Sequence, residues 1–456
     1  MTTQKHDIII AGAGLTGLTL AYYLKKQGRS PIVLEKADRP GGVIQTHTEN
    51  GFTFESGPNT GVLGNKEIAL LFEELRDHCT LETGQSGAAK RYVLKNGKWH
   101  ALPSGLTSAV STPLFTLSDK FRVLGEPFRK PGSNPDESVA EMVRRRLGKS
   151  FLDYAVDPFI SGIYAGDPSR LVTRYALPKL YALEQNYGSF VKGSVRKGKE
   201  KKSEDDKKAT KEVFSVRGGL GNLIAALEKE IGRERIVYGV RDLKTAWTGS
   251  GFSVSYSGEP QRLECTTFIT TAGGFALPDI LTFIAPEELA PVTSLQYAGV
   301  AQVAVGYNEW KGFPLDAFGG LVPSRERRQI LGILFPSAIF AGRAPGKGAL
   351  LSVFLGGTRN RELVRKSDDE ITGIALEEIR KTLYEEGQPD LLKVFRYEKA
   401  IPQYEASSGE RLECIRTLEQ KYPGLILAGN MSPGIASRQA FDNAHALRGC
   451  RHYSEG

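Results

Sequence analysis

Three glycines near the N-terminus constrain this chain more than any other feature. The short apolar run Asp7-Ile8-Ile9-Ile10-Ala11 ends in Gly12-Ala13-Gly14-Leu15-Thr16-Gly17. Leu18 to Gln27 then carries apolar residues at helical spacing, Gly28 closes the pattern, and Pro31-Ile32-Val33-Leu34-Glu35 reads as a second buried strand. A strand, a helix and a strand in about thirty residues is the minimum for a parallel crossover. Gly12 permits the sharp turn out of the strand, Gly14 lets the backbone approach a pyrophosphate, and Gly17 lets helix and strand pack closely while the helix N-terminus faces the anion. Glu35 stands where a carboxylate accepts hydrogen bonds from an adenosine ribose, which favours an unphosphorylated ribose and so FAD or NAD over NADP.

The residues just past Glu35 separate those two cofactors. Arg39-Pro40-Gly41-Gly42 occupies the place where an NAD enzyme begins its next helix. A Gly-Gly pair beside a cation suits a second close approach to the pyrophosphate or flavin, although alone it reads as a plain turn. Farther along, the spacing predicts helix over Glu67–Asp77 and across a proline-punctuated region from Ser118 to about Gln185. Val213 to Val216 predicts a strand leading through Gly218-Gly219-Leu220-Gly221 into a helix ending near Ile231. Alternation over Phe252–Tyr256 and Val300–Tyr307 predicts antiparallel strands, Leu425–Asn430 another buried strand, and Ser437–Leu447 a final helix. Nucleotide-type patterns at both ends, with other material between, imply a discontinuous domain.

At 456 residues the chain is expected to form two or three structural units, and 40% hydrophobic with 25% charged residues is ordinary for a folded protein. No stretch approaches the ~18 apolar residues of a spanning helix. The polar start, Met1 to Asp7, runs straight into a strand, so no secretory signal and a cytoplasmic location are expected. Cys79, Cys265, Cys414 and Cys450 form no CxxC pair and the six histidines no HxxxH or HExxH, so neither a disulfide framework nor a metal site is expected. The formal charge of +8 is concentrated between Lys192 and Lys211, with nine Lys or Arg against four acids. That run reads as a mobile surface loop. Without interleaved aromatics it is no nucleic-acid site, and an anionic membrane surface is the alternative partner.

The run Gly12 to Thr46 resembles the superfamily of FAD-containing amine oxidases, carotenoid desaturases and porphyrinogen oxidases. Three further stretches resemble its protoporphyrinogen oxidase branch. One is Ser161-Gly162-Ile163-Tyr164-Ala165-Gly166-Asp167-Pro168, followed by Pro178, Leu180, Leu183-Glu184 and Gly188-Ser189. Another is Gly332-Ile333-Leu334-Phe335 with Arg343-Ala344-Pro345 and Phe354-Leu355-Gly356-Gly357. The third is Ala400-Ile401-Pro402-Gln403-Tyr404 with Leu427-Ala428-Gly429-Asn430. The resemblance implies an α/β plus α+β chain in three parts. These are a discontinuous Rossmann-like FAD-binding domain (1–85, 212–275 and 418–456), a mixed-sheet substrate-binding domain (86–105 and 276–417) and a helical insert (106–211) able to touch a membrane, with the basic loop at 192–211.

Carried over residue by residue, the resemblance implies that Gly12, Ala13, Gly14, Leu15, Thr16 and Gly17 hold the ADP half of FAD with Glu35 and Lys36. Arg39, Gly41 and Gly42 flank it, and Val43 lies near the flavin. Gly57, Pro58, Asn59 and Thr60 pass beside the isoalloxazine, and Val240 presents its backbone to the adenine. Tyr397 stands where the family often has Trp, Gly429 joins the cofactor-binding set, and Gly434, Ile435, Ala436 and Ser437 meet the flavin's pyrimidine end. Two departures touch the substrate geometry: Ser408-Gly409-Glu410 replaces a usual Gly-His pair, and Gly434 to Gln439 replaces a common Gly-Val-Gly-Ile-Pro-Asp.

The implied activity is oxidation of protoporphyrinogen IX to protoporphyrin IX in heme biosynthesis, with hydride passing to FAD and dioxygen reoxidising it to give peroxide. The cofactor then performs the hard step, and no protein acid–base constellation is expected. Asn59 is the candidate contact at the reacting ring, or else a turn residue after Pro58. Arg174 and Arg343 are candidates for the substrate propionates, or else structural cations. Coproporphyrinogen III is the alternative substrate, with an amine oxidase or desaturase and a non-enzymatic flavin-binding protein as rival readings. Peripheral contact with the inner face of a membrane and a homo-oligomer are left open.

Overall fold

Ile8, Ile9 and Ile10 are wholly buried because the first strand, Thr3–Ala11, lies inside a mainly parallel sheet covered on both faces. The structure, a computed structural model, describes residues 3–85, 89–199, 203–258 and 262–431. Thr3–Ala11 pairs in parallel with Pro31–Leu34 on one side and Arg262–Thr270 on the other, and Ile236–Val237 extends the sheet beyond Pro31–Leu34. The strand Arg262–Thr270 divides its free edge. Its first half takes the antiparallel strand Phe252–Ser257, which pairs on with Arg241–Trp247, and its second half takes Leu425–Leu427 in parallel. Segments hundreds of residues apart thus share one sheet. Helices Leu15–Lys26 and Gly221–Ile231 cover one face through Leu18, Leu24, Leu223 and Leu227. Leu277, Leu289, Val292, Ile415 and Leu418 cover the other. The first strand begins at Thr3, not Asp7: Gln4 and Lys5 are exposed, so this half shows no apolar signal although it pairs fully with Leu263 and Glu264.

The second sheet runs in the order Leu391–Pro402, Tyr297–Tyr307, Ala349–Gly356, Ile330–Leu334, Gly319–Leu321, Tyr92–Lys95, Lys98–Ala101. Every pairing is antiparallel except Gly319–Leu321 with Tyr92–Lys95. All residues of Tyr297–Tyr307, the strand one in from the edge, are buried. Ala301, Val303 and Val305 pack against Ile371, Ala375, Ile379 and Leu383 of helix Asp368–Leu383, whose start is closed by a Ser367–Glu370 capping box. The hairpin Gln45–Glu49/Phe52–Ser56 leaves the first sheet's glycine turn and lies on the opposite face of the second, with Phe52 and Phe54 against Ala304, Leu350 and Leu391. That crossing positions the segment that begins at Gly57.

Between residues 106 and 207 the described chain is helical: Leu106–Ser111, Leu117–Leu124, Val139–Arg146, Asp157–Tyr164, Pro178–Tyr187 and Phe190–Gly198 are its principal helices. Arg146, at the end of Val139–Arg146, is fully buried and ties its helix to Pro178–Tyr187 and to the start of Phe190–Gly198. Its Nη1 donates to Glu126 Oε1 at 2.9 Å, its Nε to Glu184 Oε1 at 2.5 Å, and its Nη2 to the Gly188 carbonyl at 2.9 Å. Glu126 in turn accepts from the Ser189 hydroxyl and from the Phe190 and Val191 amides, so a buried carboxylate caps the helix Phe190–Gly198. This corrects the reading of 192–211 as a loop: residues 192–198 are helix, because Glu126 holds its N-terminus and Phe190 and Gly193 are buried, whatever the charge of the exposed side.

Removing one partner of a buried ion pair leaves the other uncompensated, at a cost of about 3–5 kcal/mol. Arg146→Ala is therefore expected to loosen the insert by about that amount. The check is earlier unfolding in urea with faster tryptic cleavage inside 106–211, while the FAD content of the purified protein stays at the parent level.

Candidate functional site

The glycine turn has the geometry its spacing predicts. Gly12 is at φ +106°, and a Cβ there would collide with the Thr271 hydroxyl. A Cβ on Gly17 would collide with the Gly12 carbonyl, so helix and strand touch backbone to backbone. Gly14 differs: its conformation is extended, at φ −69° and ψ 175°, and a Cβ there would meet nothing within 4 Å. The helix that starts beside it, Leu15–Lys26, has no side-chain cap on its N-terminus, where Ser, Thr, Asp or Asn would ordinarily serve. An uncapped helix end and an open flank at Gly14 are what an anion-binding turn requires.

A second glycine pair leans on the first. The Gly41 amide donates to the Ala13 carbonyl at 2.7 Å, and Gly41 and Gly42 are at φ +99° and +59°. The Arg39 guanidinium donates to the Pro40 and Gly42 carbonyls at 3.1 and 3.0 Å, which shapes this loop from within. Glu35 is buried at the turn. Its Oε2 accepts from the Ala13 amide at 2.6 Å, its Oε1 from the Ala37 amide at 2.9 Å, and its carbonyl from the Val240 amide at 2.9 Å. Gly12 to Gly17, Glu35, Arg39, Gly41, Gly42 and Val240 therefore share one crevice at the carboxyl ends of the parallel strands, while the neighbouring Lys36 is exposed. Gly429 joins the same edge at φ +94°, where a Cβ would sit 2.8 Å from the Thr271 carbonyl. The open flank of Gly14, the free helix end and the ribose-type carboxylate fit FAD.

The other group of expected residues lies beyond the hairpin. Gly57 is at φ +91°, and a Cβ there would lie 2.5 Å from the Val43 carbonyl and 3.6 Å from the Tyr397 hydroxyl. Val43, Gly57 and Tyr397 are thereby brought together; Val43 and Pro58 are exposed and Thr60 is half-buried. Gly434, Ile435, Ala436 and Ser437 lie outside the described residues.

Three expected contacts have other partners. Asn59 is 8% exposed; its Nδ2 donates to the Gly57 carbonyl at 3.0 Å and its Oδ1 accepts from the Ser352 hydroxyl at 2.8 Å, so it ties its segment to the second sheet. Arg343 is 3% exposed, lies 3.7 Å from both Glu55 and Glu82, and donates to the Ser215 hydroxyl and the Val216 carbonyl. It lies in the interior as a counter-charge to two carboxylates. Arg174 pairs with Asp136 at 2.6 Å and covers the Tyr175 ring. The stretch Ser161 to Pro168 is a joint between insert and sheet. The Ala165 carbonyl accepts from Thr358, Tyr164's from Gln403, and Arg359 bridges Asp157 and Asp167 at 2.7 and 2.9 Å.

Sequence reasoning missed Gln302, Thr271 and Glu55. Thr271 bonds the Ala11 carbonyl behind the glycine turn. Burial pushes the Glu55 carboxyl up from its ordinary range, opposed by the Leu220 amide, the Thr46 hydroxyl and Arg343. Gln302 had a readable signal, a single polar side chain in the apolar run Tyr297 to Tyr307.

Fold and crevice together define a flavin-dependent oxidoreductase. The chain belongs to the flavin containing amine oxidoreductase family, which matches residues 15–437. It is 31% identical to protoporphyrinogen oxidase 1, chloroplastic, of Arabidopsis thaliana, over 97% of this chain and 87% of that one. It is 29% identical to coproporphyrinogen III oxidase of Bacillus subtilis (strain 168), over 98% of each chain. Among solved structures, one from Exiguobacterium sp. 255-15 superposes with a TM-score of 0.81 at 23% identity, covering 99% of this chain and 100% of that one. Reduced UDP-galactopyranose mutase superposes with a TM-score of 0.73 at 15% identity, covering 98% and 94%, so the fold is shared well beyond porphyrin chemistry.

The two central glycines should fail in different ways. Gly17→Ala forces the helix off the strand and is expected to yield an unstable chain without FAD. Gly14→Ala meets no protein atom, so thermal stability of the apoprotein should be unchanged while FAD affinity falls at least about tenfold, or about 1.4 kcal/mol. FAD titration of apoprotein followed by fluorescence quenching checks both.

Proposed function

We propose that this chain oxidises protoporphyrinogen IX to protoporphyrin IX, with dioxygen as electron acceptor and peroxide as its product. The observation that carries this reading is likeness to porphyrinogen oxidases along nearly the whole chain, insert included. FAD supplies the hydride acceptor when bound. The chain's part is to bind and orient. The amides of the Gly12–Gly17 turn and the Glu35 carboxylate would hold the ADP half, with Val240 on the adenine side, and the Gly57–Thr60 segment with Tyr397 would hold the flavin. Residues 1–85, 212–275 and 418–456 form the cofactor unit in this reading, and 86–105 with 276–417 the substrate unit. Gly434 to Ser437 complete the pyrimidine end.

A second substrate, coproporphyrinogen III, is favoured by the Bacillus subtilis relative, which aligns with this chain from end to end. Competition between the two porphyrinogens, followed by porphyrin fluorescence, decides. We expect protoporphyrin to form at least about threefold faster from equal mixtures, with peroxide released in step. Equal or faster coproporphyrin formation overturns the choice of substrate, and porphyrin formation without peroxide overturns dioxygen as acceptor.

The insert suits attachment to a membrane surface from the cytoplasmic side. Among the described residues no helix is long and apolar enough to cross a membrane. Yet Leu117, Phe121 and Leu124, one face of helix Leu117–Leu124, are 70%, 70% and 72% exposed, and Phe128 just beyond is 86% exposed beneath the Lys192 ammonium. An apolar stripe with cations alongside is the signature of a helix lying in an anionic lipid surface. Phe121→Asp with Leu124→Asp should abolish co-sedimentation with phosphatidylglycerol vesicles and leave FAD content untouched. Undiminished sedimentation would remove this surface from consideration.

A further inference from the structure

Gln302 is the polar exception in a strand whose every residue is buried. Tyr297–Tyr307 lies between Leu391–Pro402 and Ala349–Gly356, and Gln302 is 1% exposed. A central strand buried on both faces ordinarily carries Val, Ile or Leu, because burying an amide is unfavourable unless each polar group finds a partner. Here both do. The Gly57 amide donates to Gln302 Oε1 at 2.8 Å, and Gln302 Nε2 donates to the Glu55 carbonyl at 2.7 Å. The side chain thus reads one donor and one acceptor from alternate residues of another segment, as a neighbouring strand would.

The face on which this happens has two parts. Side chains two residues apart on a strand share a face, and directly paired residues share it too. Ala304 and Gly306 on one side of Gln302 are covered by Phe54 and Phe52 of the hairpin. On the other side stand Val300, its pair partner Tyr397, and Gln302's own pair partner Phe354, and Tyr397 and Phe354 are only half-buried. Gln302 therefore stands where the hairpin stops covering the sheet and the segment Gly57–Thr60 turns away. The turn needs such a hold. Gly57 has a left-handed φ, has no room for a side chain against the Val43 carbonyl, and has no strand partner for its amide, since the hairpin ladder ends at Ser56. One strand over, Ser352 holds Asn59 in the same way, and Ala304 pairs with Ser352 in the ladder.

We propose that Gln302 is a positioning residue for the cofactor: by fixing the backbone at 55 and 57 from the substrate sheet, it sets the line of Gly57–Thr60 along the flavin and so couples the sheet that faces the substrate to the sheet that holds the dinucleotide. The proposal rests on the flavin-facing role proposed for Gly57–Thr60. Gln302 acts through the chain and touches no reacting atom.

The test uses the full-length protein stripped of and titrated with FAD, with kcat and KM measured on the reloaded enzyme. Gln302→Leu, which loses both bonds, is expected to bind FAD at least about tenfold more weakly and to lose at least about tenfold in kcat, with KM moving less than about threefold. Gln302→Glu keeps an oxygen for the Gly57 amide and, as the neutral acid, a donor for the Glu55 carbonyl; it should bind FAD within about threefold of the parent where it is protonated and more weakly once ionised, because a buried carboxylate finds no second donor there. Thr382→Val removes a buried hydroxyl bond to the Glu378 carbonyl on the opposite face of the same sheet, and should lower thermal stability without moving FAD affinity. FAD binding by Gln302→Leu within twofold of the parent overturns the assignment, and so does a Thr382→Val chain that loses as much affinity. Should the leucine chain not fold, Gln302→Met, unbranched and of similar length, carries the same two readings. The titration involves no porphyrinogen: a parent chain that binds FAD and ignores porphyrinogens refutes the proposed substrate alone.

Discussion

The contact of Gly17 with the Gly12 carbonyl is the constraint on which the cofactor crevice depends. Backbone against backbone, with no side chain between, brings the amide end of Leu15–Lys26 directly over the end of Thr3–Ala11. A helix set even one methyl group farther out would carry its N-terminal amides away from the crevice. Everything else at this edge is arranged around that approach. Gly41 hydrogen-bonds to Ala13, Glu35 takes the Ala13 amide, and Thr271 backs the turn from the next strand. The strands Arg262–Thr270 and Leu425–Leu427 extend the same carboxyl-terminal edge, which is why distant parts of the chain meet there.

The second constraint is the hairpin that passes from one sheet to the other. Its apolar side is anchored by Phe52 and Phe54, but its polar exit is held by a connected set of buried groups. The Glu55 carboxylate accepts from Thr46 and from the Leu220 amide at the head of the helix that covers the first sheet. The Glu55 carbonyl accepts from Gln302 of the second sheet, and Arg343 lies beside the carboxylate. These bonds fix the exit of the hairpin from both sheets at once, while the buried Arg343 Nη1 has no hydrogen-bond partner and faces Glu55 only as a charge at 3.7 Å. The insert repeats the device around Arg146, where a guanidinium and two carboxylates join helices that also share an apolar cluster through Val139, Val143 and Ile160.

The first crossover and its glycine turn were legible in the sequence because their chemistry is local. The spacing of Gly12, Gly14 and Gly17 is a property of one turn, and Glu35 comes at the distance a single helix imposes. The strand Leu391–Pro402 was not legible, because its exposed Arg396, Glu398 and Lys399 interrupt the apolar pattern although it pairs with Tyr297–Tyr307 over nearly its whole length. The helix over 192–198 was hidden by its charge, since the carboxylate that caps it lies more than sixty residues upstream. Asn59, Arg174 and Arg343 show the same limit in side chains. Their polarity announces that each needs a partner, but not whether that partner is a ligand or the protein itself.

By itself, the sequence determined the class of cofactor, the parallel crossover that holds it and the broad division into sheets and a helical insert. Each depends on residue type at short range: glycine where only glycine fits, a carboxylate at the end of a strand, apolar runs of a given period. Only the tertiary structure decided which polar residues are held by the protein's own groups. A side chain such as Gln302 acquires its role from two backbone groups some 245 residues away, and no local pattern encodes a distance that folding alone closes.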